Sequence, residues 1–200
     1  MDINYIKNFL SKNILNRKNT YIPYGKHEIS NEDISFLNKS LRGSFITQGP
    51  NVNLFEEKVS NKVNSKYATA FNSATSALHI ACLALNLKKG DWLWTSPISY
   101  IASSNCGLYC GANIDFVDID SRTGLLCPHK LENKLIKAER KGNLPKVVIP
   151  VHLTGTSCDM EKIHILSQKY GFSIIEDASH AIGAKYLNSP VGNCRFSSIT

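Results

Sequence analysis

From residue 67 to residue 200, short apolar runs alternate with segments of helical period, and this alternation constrains the fold more than any other feature. The runs 67–71, 92–95, 114–119, 147–151 and 172–176 read as strands, and 196–200 begins another. Between them, 74–85, 100–109, 128–140 and 160–170 read as helices, the third opening on Pro128, whose fixed φ suits a first turn. Strands with little polar alternation must be covered on both faces. The expected fold is therefore a three-layer α/β/α arrangement around a mainly parallel sheet. In such sheets ligands bind beyond the carboxyl ends of the strands, so function is sought at the strand-to-helix joints.

Upstream of the alternation, Ser30-Asn31-Glu32-Asp33 reads as an N-cap with an acidic first turn, opening a helix through Leu41 that Gly43 can end. Thr47-Gln48-Gly49-Pro50 reads as a turn, and Val52, Phe55, Val59 and Val63 recur at helical spacing. Residues 1–27 are polar and Asn-rich and read as an N-terminal leader or arm, with 28–200 as one large domain.

Several function classes lose support. No apolar run approaches the roughly 20 residues that cross a bilayer. Met1-Asp2-Ile3-Asn4-Tyr5 carries no basic stretch leading into an apolar one, so the cytoplasm is the expected location. The six cysteines, at 82, 106, 110, 127, 158 and 194, form no CxxC pair; reduced, structural thiols are expected, Cys106 and Cys110 buried on one helical face, and no metal. A net charge of +7 suits an anionic ligand. Nucleic acid is the rival partner, but the basic residues are dispersed and the densest group, Lys7, Lys12, Arg17 and Lys18, lies in the leader. A solvated surface is the expectation there.

Four joints carry candidate chemistry. At Asn72-Ser73-Ala74-Thr75-Ser76, hydroxyls and free helix-start amides suit a phosphate, although a plain cap would use the same residues. Ser96-Pro97-Ile98-Ser99-Tyr100 places a ring at a helix start, where it can stack on a flat heterocycle or simply pack. Asp177, in Glu176-Asp177-Ala178-Ser179-His180-Ala181, emerges from an apolar strand and needs a cationic or hydrogen-bonding partner unless it is a helix cap. His152, in Pro150-Val151-His152-Leu153-Thr154-Gly155, either packs or lines the site. A phosphate cradle, a stacking ring and a strand-end carboxylate in this order are what holds pyridoxal phosphate (PLP). Neither GxGxxG after a strand nor GxxxxGK[S/T] occurs, which removes the main support for dinucleotide and P-loop readings.

These segments, with Ala77-Leu78-His79 and Phe116-Val117-Asp118-Ile119-Asp120, resemble the sugar-nucleotide aminotransferases of the aspartate-aminotransferase-like PLP superfamily. Within that family the likeness is greatest to the pseudaminic-acid-pathway group, which aminates the C4 keto group of a UDP-linked dideoxy amino sugar; Thr47 to Pro50 and Phe55-Glu56 fit the group too. The resemblance runs from about Ile22 to Thr200. It implies that the Ala74 backbone and the Thr75 side chain hold the cofactor phosphate, that Tyr100 stacks on the pyridine ring, and that Asp177 pairs with the ring nitrogen. It puts His180 near the cofactor's phenolic oxygen, and makes Thr47, Gly49 and His152 candidate substrate contacts.

In the family the Schiff-base lysine follows the next strand, in a Ser-Phe-His-x-x-Lys segment, whereas this sequence reaches Thr200 as that strand begins. Lys185, in the 183–186 turn, is no substitute. The resemblance thus implies an N-terminal part of the large domain, truncated before the lysine segment and the small domain, and inactive by itself. For the complete enzyme it implies a homodimer that takes nitrogen from an amino acid, glutamate by expectation, and passes it to the keto sugar. The alternatives are a PLP-dependent sugar dehydrase of the same fold, with histidine in place of the lysine, and a non-catalytic remnant that acts by binding.

Overall fold

A computed structural model describes residues 25–200. The expectations for the leader's basic group and for Ile22 to Tyr24 lie outside the described residues. Contacts divide the chain into a unit that ends at Gln48 and a second, Gly49–Thr200. The expected boundary at 27/28 falls inside the first.

In the first unit, helix α1 (Asn31–Leu41) starts where the sequence places it. The Ser30 hydroxyl accepts from the Asp33 amide, and the Asp33 carboxylate accepts from the Ser30 N–H at 2.8 Å, which closes a reciprocal cap. The Ser30 N–H, and the Ser30 hydroxyl that also donates to it at 2.9 Å, hold the Asp33 carboxyl below its ordinary range. No residue of α1 is buried within this chain.

The second unit holds α2 (Pro50–Val63), α3 (Ala74–Ala84), β1 (Trp92–Thr95), α4 (Ala102–Tyr109), β2 (Asn113–Phe116), α5 (Pro128–Lys141), β3 (Val147–Ile149), a 3-10 turn (Leu153–Gly155), α6 (Met160–Tyr170) and β4 (Ser173–Ile174). A short antiparallel hairpin, β5 (Lys185–Tyr186) with β6 (Ser189–Pro190), follows. The strand expected at 67–71 does not form. No strand among the described residues pairs with this segment; instead its Ala70 amide donates to the Glu56 carboxylate of α2 at 2.8 Å, and Tyr67 and Phe71 stay exposed. The strand expected over 114–119 ends at Phe116, and Ile119 pairs with Leu126 in an isolated antiparallel bridge.

The four main strands form one parallel sheet in the order β2-β1-β3-β4. Bridges Val151↔Asp177 and Ile175↔Ile199 carry the pairing further, so the chain near Ile199 lies beside β4 as the start of the expected next strand. Side chains alternate between two apolar layers. Leu93, Val147, Ile149 and Ile175 pack with α3 and α4 through Leu78, Cys82, Ala102 and Cys106. Trp94, Val148 and Ile174 pack with α5 and α6 through Leu131, Leu135, Ile163 and Leu166. The α/β/α sandwich is therefore as expected.

Helix α4 approaches the sheet closely at Gly107, where an added Cβ would sit 2.6 Å from Ile114 Cδ1 and 3.2 Å from Leu93 Cβ. From β1 the chain crosses to β2 through α4, then returns past β1 to β3 on the opposite face through α5. Connections diverge between β1 and β3, and crevices at such switch points are where ligands bind in open α/β sheets.

Candidate functional site

Ser73 caps α3: its hydroxyl oxygen accepts from the Ser76 amide at 3.2 Å. The Ala74 and Thr75 N–H groups and the Thr75 hydroxyl make no hydrogen bond among the described residues. Ala74 is exposed and Thr75 half-buried. Two amides and a hydroxyl at the positive end of an eleven-residue helix form a donor set suited to a dianion.

After β1, the 96–100 joint is tied down by two serines. Ser96 donates to the Ile98 carbonyl, and the Ser99 and Ser103 hydroxyls lie 2.8 Å apart. Tyr100 sits between these anchors with 75% of its surface exposed, so its ring is free to cover a flat ligand.

Asp177 is 7% exposed, at the end of the β4 line. Its backbone is fixed by the pairing with Val151: its N–H donates to the Pro150 carbonyl and its carbonyl accepts from the His152 N–H, each at 3.0 Å. Its carboxylate takes three neutral donors. Ser103 Oγ donates to Oδ2 at 2.7 Å, while the Ser179 hydroxyl and amide reach Oδ1 at 2.7 and 3.3 Å. Among the described residues it joins no ion pair. A buried carboxylate without a cation is costly, and a protonated ring nitrogen would relieve that cost. The residues present fit PLP in their donor chemistry: phosphate donors at α3, a free ring at Tyr100 and an unpaired buried carboxylate at Asp177.

His152 is expected either to pack or to line the site. Its side chain is fully buried. Nδ1 accepts from the Cys158 amide at 3.2 Å, so the ring proton sits on Nε2 and is donated to the Glu176 carboxylate at 2.8 Å. The ring ties the β3 joint to the residue preceding Asp177. Burial also pushes the neighbouring Cys158 thiol up to about 12.

His180 is exposed in the turn after Asp177, and its ring makes no hydrogen bond among the described residues. Its carbonyl lies 2.9 Å from where a Cβ would stand on Gly155, a residue with φ +85°, so only glycine lets the two joints meet. Gly49 is the N-cap of α2. Thr47 is exposed and belongs to the first unit. Lys185 is exposed on the hairpin. All six thiols are free, with Cys106 buried, Cys110 half-buried and Cys194 exposed. Two site residues were not singled out from sequence, Ser103 and Glu176. The available signal was the four-residue spacing between Ser99 and Ser103, the latter on a helix face otherwise made of Ala102, Cys106 and Gly107.

Comparison with known proteins settles the family. The model of the DegT/DnrJ/EryC1/StrS aminotransferase family matches residues 27–200. This chain belongs to that family. It is 37% identical over 171 residues to the UDP-4-amino-4,6-dideoxy-N-acetyl-beta-L-altrosamine transaminase of Campylobacter jejuni, which covers 86% of this chain and 44% of the transaminase. Among solved structures, Helicobacter pylori PseC, an aminotransferase of pseudaminic acid biosynthesis, superposes with a TM-score of 0.77 at 32% identity, over 88% of this chain and 45% of PseC. S. venezuelae DesV, solved with a ketimine intermediate, gives 0.73 at 27% identity over 81% of this chain and 42% of DesV. The chain thus spans less than half the length of these family members. No helix among the described residues is long and apolar enough to cross a membrane.

Proposed function

We propose that this chain is the cofactor-holding part of a PLP-dependent sugar-nucleotide aminotransferase, which aminates the C4 keto group of a UDP-linked 4-keto-6-deoxy amino sugar. The observation that carries the reading is Asp177: a buried carboxylate at the carboxyl edge of a parallel sheet, held by three neutral donors with no cation among the described residues. Family membership supports the reaction class, and the 37% identity to a UDP-sugar transaminase supports the substrate.

When bound, PLP supplies a carbonyl carbon that exchanges nitrogen with amino acids and keto sugars, and a ring that accepts electrons from the substrate carbanion. The chain's own residues do the rest of the holding. The Ala74 and Thr75 amides and the Thr75 hydroxyl bind the phosphate. Tyr100 covers the ring and excludes water from that face. Asp177 keeps a proton on the ring nitrogen, and His180 stands by the phenolic oxygen. None of the matched motifs in residues 1–200 supplies a lysine to attach the cofactor and shuttle protons, so these residues alone are expected not to turn over. Glutamate is the proposed donor and the cytoplasm the proposed location. A homodimer would cover the exposed apolar residues Ile101, Leu108 and Tyr109 of the α4 region.

Titrating the complete encoded protein with PLP tests the reading. A saturable visible absorption band, absent from residues 1–200, is the expected result. A complete protein that stays colourless at millimolar PLP would overturn it.

A further inference from the structure

We propose that Ser103 is a positioning residue that aims the Asp177 carboxylate at the cofactor ring, and that Ser99 holds the Ser103 hydroxyl in place by donating to it. The proposal rests on the PLP reading above and assigns a role to a helix residue outside the matched motifs.

Ser103 is fully buried on α4, on the side that packs against the sheet. A hydroxyl has one proton. Because the carboxylate can only accept, the Ser103 proton is committed to Asp177 Oδ2 at 2.7 Å. The Ser99 hydroxyl, 2.8 Å from Ser103 Oγ, must then donate to it. The result is a directed relay, Ser99 to Ser103 to Asp177, which links the loop bearing Tyr100 to the carboxylate.

An ionised carboxylate has roughly four acceptor sites, two on each oxygen. Ser179 fills both sites on Oδ1, through its hydroxyl and its amide. Ser103 fills one on Oδ2. The site left for a ring N–H is therefore on Oδ2, the oxygen whose only donor among the described residues is Ser103. Without that hydroxyl, Oδ2 is tethered only through the opposite oxygen and can swing about the Cβ–Cγ bond.

The two serines are not equivalent, and this separates positioning from packing. Ser103→Ala removes the one donor to Oδ2 among the described residues. Ser179→Ala leaves the backbone amide on Oδ1.

The test uses the complete encoded protein and PLP labelled with 15N in its ring. Dissociation constants and the 15N shift of the bound ring across pH are measured for the wild type, Ser103→Ala, Ser103→Thr and Ser179→Ala, each first checked for a cooperative melt. Hydrogen bonds to charged groups are strong enough that Ser103→Ala should weaken PLP binding about tenfold or more and move the ring-nitrogen titration. Ser103→Thr, which keeps the hydroxyl, should restore both, and Ser179→Ala should have the smaller effect. If Ser103→Ala fails to melt cooperatively, Ser103→Thr and Ser99→Ala carry the test. Ser99→Ala leaves the bond to Asp177 but removes the donor that holds the Ser103 hydroxyl in place, so a several-fold loss of affinity, with Ser103→Thr near wild type, is expected. Wild-type affinity and an unmoved 15N titration in the serine-to-alanine variants would overturn the positioning role while leaving the PLP reading intact. A wild type that does not bind PLP would overturn both.

Discussion

Asp177→Asn separates what the carboxylate does for the fold from what it does for chemistry. An asparagine has one acceptor oxygen and one NH2, and the surrounding donors decide which goes where. The Ser179 amide can only donate, so the side-chain oxygen takes the Oδ1 position, 3.3 Å from that amide in the native geometry. The NH2 then faces Ser103. That contact survives, because Ser103 can accept and pass its own proton to Ser99, 2.8 Å away, reversing the relay. The fold should therefore lose only on the order of 1 kcal/mol, the difference between neutral and charge-assisted bonds. Chemistry fares differently. A donor now occupies the place where the ring N–H needs an acceptor, and a buried pair missing one partner costs roughly 3–5 kcal/mol. Expressed in the barrier, that is about two to four orders of magnitude in rate. Thermal melting and single-turnover transamination on the complete enzyme would measure the two effects side by side. Wild-type rates, or a stability loss well above about 1 kcal/mol, would refute the relay argument.

Other perturbations test the frame around the site. His152→Ala leaves Glu176 buried without its main partner and should cost about 3–5 kcal/mol in urea unfolding; His152→Gln, which can still donate to Glu176, should cost less. Cys194 is exposed whereas Cys158 is buried with its thiol pushed up to about 12, so iodoacetamide at pH 8 should label Cys194 and spare Cys158 in peptide mass spectra. The Lys146 ammonium beside Asp91 holds that carboxyl below its ordinary range. Its contribution is complete above the unfolded carboxylate pKa and is lost as pH falls through the lowered value, so Asp91→Asn should flatten the acid side of the melting-temperature profile below about pH 4.

The layered fold was readable because each of its signals is local. Ser30 and Asp33 mark the start of α1 within one turn, and the apolar runs around Val147 and Ile174 need no partner to be recognised as covered strands. Residues 67–71 show where this logic fails. Tyr-Ala-Thr-Ala-Phe has strand chemistry, but strand formation depends on a neighbour to pair with, and here the nearest acceptor is Glu56 on a helix. The candidate site divides in the same way. Asp177 was visible because a carboxylate ends an apolar run. Ser103 was not, since its partner lies 74 positions away and the sheet register alone brings them together. His152 was visible as a polar residue at a strand end, but its direction was decided by the Cys158 amide and Glu176, neither of which sequence spacing relates to it.

The most direct test of the account is the fate of the donor nitrogen. The complete encoded protein, loaded with PLP, would be given 15N-glutamate and a UDP-linked 4-keto-6-deoxy amino sugar, and the nucleotide sugar followed by mass spectrometry. The account requires 15N at C4 of the sugar with 2-oxoglutarate formed in equal amount, and a loss of that signal in Asp177→Asn. A sugar that gains no 15N while the protein binds PLP, or one that instead loses water, would contradict the aminotransferase reading.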